Sequence, residues 1–359
     1  MTPRIRPDLA SVPAYVPGRT VPNTVKLASN ETTFGPLPSV REAILEAAAT
    51  VNRYPDNGSA ELIAALSAHL DVTADRIAVG CGSVSLCQEL VQIACNAGDE
   101  VIYSWRSFEA YPVVCAVAGA TAVPVPNTPE HGHDLKSMLA AITDRTRLIF
   151  VCNPNNPTGS YLGKDELEQF LDAVPDHIIV ALDEAYFEYA RSTPDNELAD
   201  GLVLTAGRPN VVVLRTFSKA YGLAGLRVGY AVADPEIIVA LSKVHTTFSV
   251  NSLAQKAAIA SIEAADELLA RTDAVVAERE RVRSALLDAG YPVQPSEANF
   301  LWLPLGENSA AFAAAAVDAG VILRNFTGEG TRISIGDPDE NDLVLAFATG
   351  SGREIAGIA

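Results

Sequence analysis

The feature that most constrains this chain is an alternation of two patterns. Short, nearly continuous apolar runs recur at Arg76–Gly80, Glu100–Tyr103, Thr121–Val125, Arg147–Val151, Ile178–Leu182, Val211–Leu214 and Arg227–Val232. Stretches with helical spacing, among them Ser39–Thr50, Ser59–Leu70 and Ser83–Asn96, lie before and between them. Strands that are apolar on both sides must be covered on both faces, which predicts a mostly parallel sheet flanked by helices. A long amphipathic helix is expected within 251–290, ending near Gly290. Beyond it, Ala298–Leu303, Val321–Leu323 and Thr331–Ile335 read as strands of a smaller α+β domain, with Trp302 in its core. The expected layout is a proline-rich arm over 1–30, a large domain over 31–255 and a small domain over 256–359.

Composition narrows the partners. The 359 residues carry a net charge of −18 with no basic cluster. Nucleic acids and anionic membranes are therefore poor partners, because binding either depends on neutralising phosphates with Lys and Arg. The five cysteines form no C-x-x-C pair, and neither they nor the histidines show metal-ligand spacing, so no metal is expected. Reduced thiols, no apolar leader at the N-terminus and no apolar run of the ~18 residues a membrane helix needs point to a cytoplasmic protein.

Several strand candidates end in chemically loaded turns, and in open α/β sheets ligands gather at the carboxyl ends of strands. Val211–Leu214 leads into Thr216-Phe217-Ser218-Lys219 and then, across a glycine-punctuated stretch, to Arg227. A lysine held there can form a Schiff base with an aldehyde, while Ser218 and Arg227 hold a phosphate. Those are the needs of pyridoxal 5'-phosphate, whose ring does the carbanion chemistry. Gly82-Ser83-Val84 opens a helix, and its free N–H groups suit the same phosphate. Asn156, in the turn Cys152–Gly159, can hydrogen-bond a ring oxygen. Asp183 at the end of Ile178–Leu182 can pair with a protonated ring nitrogen, and Tyr186 can reach the ring oxygen. Each motif alone also reads as a helix cap, a tight loop or a surface lysine. In chain order at successive strand ends, they suit different edges of one small molecule.

With those residues in view, the chain resembles the fold-type I pyridoxal-phosphate enzymes. Within them it is similar to the branch holding histidinol-phosphate and bacterial aromatic amino acid aminotransferases. The phrases that carry this are Lys26–Glu31, Arg53–Asp56, Cys152–Gly159, Asp183–Tyr186, Thr216–Gly229, Glu297–Phe300 and Arg332–Gly336. The resemblance implies that Lys219 carries the cofactor and shuttles the substrate proton. It likewise implies that Phe108 stacks on the cofactor ring, that Arg332 takes the substrate α-carboxylate, and that Tyr54 of a second subunit reaches the phosphate, making the enzyme a homodimer.

Phe108 and Phe34 stand where relatives often carry tyrosine, and each removes a hydroxyl. Phe34, near the entrance with Asn30, favours an apolar substrate. Histidinol phosphate brings a dianion and an imidazole, whose unmet partners would be costly. The expectation is thus transfer of an amino group from Phe, Tyr or Trp to 2-oxoglutarate, in two alternating half-reactions. Arg324 keeps histidinol phosphate open, since it suits either a distal carboxylate or a phosphate. A threonine-phosphate decarboxylase-like lyase shares the same motifs. A regulatory protein retaining the site would need an effector domain for which neither terminus has room.

Overall fold

The computed structural model describes residues 21–193 and 197–358, with Arg6 and Leu9 ahead of them. Most of the expected arm falls outside the described residues. Among the described residues, eleven strands run in chain order: β1 (Val25–Leu27), β2 (Ile77–Gly80), β3 (Glu100–Trp105), β4 (Thr121–Pro126), β5 (Thr146–Cys152), β6 (Ile179–Asp183), β7 (Val211–Thr216), β8 (Gly229–Val232), β9 (Phe300–Leu303), β10 (Val321–Phe326) and β11 (Gly330–Ser334). The helices that matter for the site are α1 (Pro38–Ala48), α2 (Ala60–Leu70), α3 (Ser83–Ala94) and α4 (Ala110–Ala118).

The seven-stranded sheet has the order β2-β8-β7-β6-β5-β3-β4. Only β8 runs against its neighbours, so the sheet is mostly parallel, as the alternation predicted. Side chains alternate across it with the period of two that a pleated strand imposes. On β5, Leu148, Phe150 and Cys152 enter one core with α3 and α4, while Ile149 and Val151 enter another on the opposite face. Nearly every one of these side chains is fully buried. Each contributes roughly 1.5–3 kcal/mol from area removed from water.

The second sheet has the order β1-β10-β11-β9 and supplies the smaller core. Its edge strand comes from within the expected arm. Val25–Leu27 pairs in parallel with Val321–Leu323, and Leu27 is buried in that core. The helix expected within 251–290 is also two helices, Ser252–Glu263 and Ala265–Asp288, separated at Ala264 (φ −103, ψ 21). The first packs on α1 and α2. The second begins in that core with Leu268 and reaches the small core with Val282 and Leu286. Neither Gly nor Pro marks the break; the two halves bury faces against different bodies. No helix among the described residues is long and apolar enough to cross a membrane.

Candidate active site

The parallel strands end at one edge of the large sheet, and the antiparallel β8 starts there. That reversal explains why Arg227 belongs to the site. The sequence reading put Arg227 inside the last strand, but the strand begins at Gly229 and Arg227 sits in the turn before it, with φ at +60. Its guanidinium donates to Ser218 Oγ at 3.0 Å and to the Ala224 carbonyl at 3.0 Å. Its other terminal nitrogen lies against Gly82, where an added Cβ would come within 2.4 Å of it. Gly82 (φ +73) caps α3 without a side chain, so the first amides of the helix face Arg227 and Ser218. One helix N-terminus, one hydroxyl and one guanidinium thus meet in a cradle whose donors suit an anion.

The other strand ends surround that cradle. Asp183, last residue of β6, is 2% exposed. Its Oδ2 accepts from the Tyr111 hydroxyl at 2.8 Å, and its Oδ1 is buried without a hydrogen-bond partner. Burial raises its pKa to about 6, against the Tyr111 hydrogen bond. Lys219 follows Ser218 on the turn after β7, and its Nζ donates to the Ser29 carbonyl at 3.2 Å. Burial, with the nearby Arg332 and Arg227 charges, lowers its pKa to about 7 despite Glu31. The amine is 5.7 Å from the centre of the Tyr186 ring.

Asn156 lies in the loop after β5, which Asn153 closes by pairing with both the amide and the carbonyl of Leu162. Gly159 (φ +76) ends this loop against Ser296, leaving no room for a Cβ. Asn156 Oδ1 accepts from Arg332, whose other terminal nitrogen donates to the Ala28 carbonyl at 2.7 Å. Asn30 adopts φ +54, donates through Nδ2 to the Tyr186 hydroxyl at 2.9 Å and exchanges two hydrogen bonds with Ser334. Because Tyr186 Oη accepts there, its own proton is left to donate elsewhere. Burial pushes that phenol up to about 12, so it stays protonated.

The structure therefore gathers Gly82, Ser83, Asn156, Asp183, Tyr186, Ser218, Lys219, Arg227, Arg332 and Asn30 around one edge. Val84 follows Ser83 in the first turn of α3. Phe108 joins through Tyr111, ring edge to face at 5.5 Å. Two further predicted residues are exposed, and a third faces Arg332 across the β10–β11 ladder. Phe34 is 40% exposed and lies under Arg271. Tyr54 is 81% exposed and stacked on Phe248 at 4.5 Å. Arg324 is ion-paired with Glu109 at 2.8 Å. Sequence reasoning gave no role to Tyr111, Ser334 or the carbonyls of Ala28 and Ser29. The one available signal was that Tyr111 follows Phe108 at helical spacing. Among the described residues no group of three or more His, Cys, Asp and Glu could hold a metal ion.

This geometry agrees with comparison to known proteins. The chain is 68% identical to an aromatic amino acid aminotransferase of Rhodococcus jostii (strain RHA1), across 100% of this chain and 99% of the relative. It is 62% identical to one from Nocardia farcinica (strain IFM 10152), covering 97% of each. Among solved structures, the histidinol-phosphate aminotransferase of Sinorhizobium meliloti, in complex with pyridoxal-5'-phosphate, superposes with a TM-score of 0.87. It is 31% identical, over 99% of this chain and 98% of that one. Residues 22–347 match the family described as aminotransferase class I and II, and the chain belongs to that family.

Proposed function

We propose that the chain is a pyridoxal-phosphate-dependent aminotransferase that takes the amino group of Phe, Tyr or Trp and delivers it to 2-oxoglutarate. The observation that carries the reading is the pair of unusual groups at one sheet edge. Lys219 is an amine with its pKa brought down to about 7, and Asp183 is a buried carboxyl with one oxygen unpartnered. A protonated ring nitrogen is the partner that oxygen lacks, and the fit extends outward. Ser218, Arg227 and the Gly82–Ser83–Val84 amides would hold the phosphate, and Asn156 with Tyr186 the ring oxygen. Phe108 would cover one ring face. When bound, the cofactor supplies an electron sink that stabilises negative charge at the substrate Cα.

The chain's own residues do the rest. Arg332, fixed between Asn156 and Ala28, clamps the substrate α-carboxylate with its planar fork. Lys219 Nζ takes the proton from the substrate Cα; an amine with pKa near neutrality is present as free base at working pH. The preference for an aromatic donor is supported by Phe34 and Phe108, which add apolar surface without a hydroxyl, and by the names of the two Rhodococcus and Nocardia relatives. The exposed aromatic pair Tyr54–Phe248 supports a homodimer in which Tyr54 reaches the phosphate of the neighbouring site. Arg324 beside Arg332 keeps a second reading open, histidinol phosphate as donor, and equally suits the distal carboxylate of 2-oxoglutarate.

Borohydride reduction of the holoenzyme followed by peptide mapping tests the assignment. A pyridoxyl adduct on Lys219 is expected, and an adduct elsewhere, or none, overturns it. Turnover with 2-oxoglutarate should then be faster for Phe, Tyr or Trp than for histidinol phosphate. The reverse order selects the second reading, and release of CO2 instead of an oxo acid selects a lyase.

A further inference from the structure

Arg324 and Arg332 face each other across the β10–β11 ladder, with Trp302 opposite Arg332 on β9. Directly paired residues project from the same face of a sheet, their Cβ atoms about 4.5–5.5 Å apart. One guanidinium of this pair is turned to Asn156 and Ala28. The other rests 5.6 Å from the centre of the Phe326 ring and is ion-paired with Glu109. Glu109 immediately follows Phe108, so the ion pair ties the turn that carries the proposed ring-stacking residue to the second arginine.

We infer that Glu109 is a specificity-determining residue, an internal carboxylate that occupies Arg324 until the distal carboxylate of a dicarboxylic substrate replaces it. This inference rests on the aminotransferase reading above. A ping-pong aminotransferase must accept two unlike substrates in one site. An aromatic ring brings no charge, and without Glu109 it would leave the Arg324 cation unpaired beside it. With Glu109 in place, the ring meets a neutralised pair. A dicarboxylate brings its own anion, and the exchange is charge for charge: the Arg324–Glu109 pair opens, Arg324 pairs with the substrate, and Glu109, already 46% exposed at its side chain, turns to water. Glu109 therefore competes with 2-oxoglutarate and leaves the aromatic donor undisturbed.

A second ion pair supplies the control. Arg106, stacked 4.2 Å from the Trp105 ring centre, pairs with Glu329, joining the same turn after β3 to the same β10–β11 hairpin without involving Arg324. If Glu109 acted only as a tether between those segments, loss of either pair would do the same thing.

The test uses stopped-flow half-reactions of the holoenzyme with Phe and with 2-oxoglutarate. Glu109→Gln should tighten apparent binding of 2-oxoglutarate about three- to fivefold, the scale of a part-exposed ion pair, and should weaken binding of Phe, whose ring then meets an unpaired cation. Arg324→Gln should weaken 2-oxoglutarate binding and abolish the effect of Glu109→Gln. Glu329→Gln should leave 2-oxoglutarate binding within twofold. The inference is overturned if Glu109→Gln leaves 2-oxoglutarate unchanged, if Phe and 2-oxoglutarate shift together, or if Glu329→Gln reproduces the effect. Failure of the wild-type enzyme to pass the amino group of Phe to 2-oxoglutarate refutes the aminotransferase reading itself, whatever Glu109→Gln does.

Discussion

Two neighbouring carboxyls, Asp183 at the end of β6 and Glu184 just after it, share almost the same burial, 2% and 1% exposed. Burial raises both, Asp183 to about 6 and Glu184 to about 7. Their partners differ. Glu184 receives Arg215 at 2.8 Å and the Gly201 amide at 2.8 Å, and Arg215 also reaches Asp200 at 2.8 Å. Asp183 has the Tyr111 hydroxyl on Oδ2 and the Ala185 amide also favouring its charge, and its Oδ1 makes no hydrogen bond. A buried acid that the protein satisfies itself holds the fold together. One left half-satisfied is costly unless something outside the chain completes it. The contrast assigns Glu184 to structure and Asp183 to the cofactor, and each substitution below is a way to break that division.

The largest effect is expected at Lys219, on the turn after β7, the strand paired with β6. Lys219→Ala should lower turnover by about 10⁴-fold or more, the upper range for removing a positioned base, and abolish the visible absorbance of the bound cofactor. The midpoint of thermal unfolding without cofactor should rise or hold, because a desolvated amine, only partly charged at neutral pH, is removed. Normal turnover in this variant would end the reading.

Glu184→Gln comes next and should be felt in stability. It leaves Arg215 buried against a neutral amide, a change costing about 3–5 kcal/mol when one member of a buried pair is lost. Chemical denaturation of the cofactor-free protein measures it. The surviving folded fraction should keep the absorbance and pH profile of the wild type. A shifted profile with unchanged stability would place Glu184 in the chemistry.

Asp183→Asn reverses that outcome. The substitution removes charge from an oxygen that makes no internal hydrogen bond, so the fold should change little. Activity should fall about 10²–10³-fold, the scale for deleting one preorganised electrostatic partner. Equal losses of stability in Asp183→Asn and Glu184→Gln would erase the distinction between the two acids.

These residues also show what was legible in the sequence and why. Asp183, Asn156, Ser218 and Lys219 could be found because strand ends and turn chemistry are local signals: an apolar run, then Gly, Pro or Asn, then a functional side chain. The parallel sheet was legible for the same reason. Tyr111 was not, since its bond to Asp183 joins residues 72 positions apart and only the packing of α4 on the sheet brings them together. The Glu184–Arg215 pair depends in the same way on β6 lying beside β7. The second strand pairing of β10, with Val25–Leu27, and the break at Ala264 carry no local mark. Both follow from where apolar surface remained to be covered.

The smallest effect should come from Tyr111→Phe, read against pH. Asp183 has a folded-state pKa near 6, above its ordinary value of 3.8. Its stabilising contribution is therefore complete below pH 3.8 and is lost as pH rises toward 6 and beyond, because the folded protein holds the proton more tightly than the unfolded chain does. The Tyr111 hydroxyl opposes this by favouring the carboxylate. Removing it should push the Asp183 pKa higher and extend the loss toward neutral pH, at a cost of about 1–3 kcal/mol near pH 7 for the oxygen left unpaired. Stability of the cofactor-free protein, measured from pH 4 to 8, should fall more steeply in Tyr111→Phe than in the wild type. Bound cofactor should remove the difference, since a cationic ring nitrogen holds the carboxylate ionised in both. A Tyr111→Phe protein whose cofactor-free pH profile overlays the wild type would show that Asp183 is as self-sufficient as Glu184, and the comparison would fail.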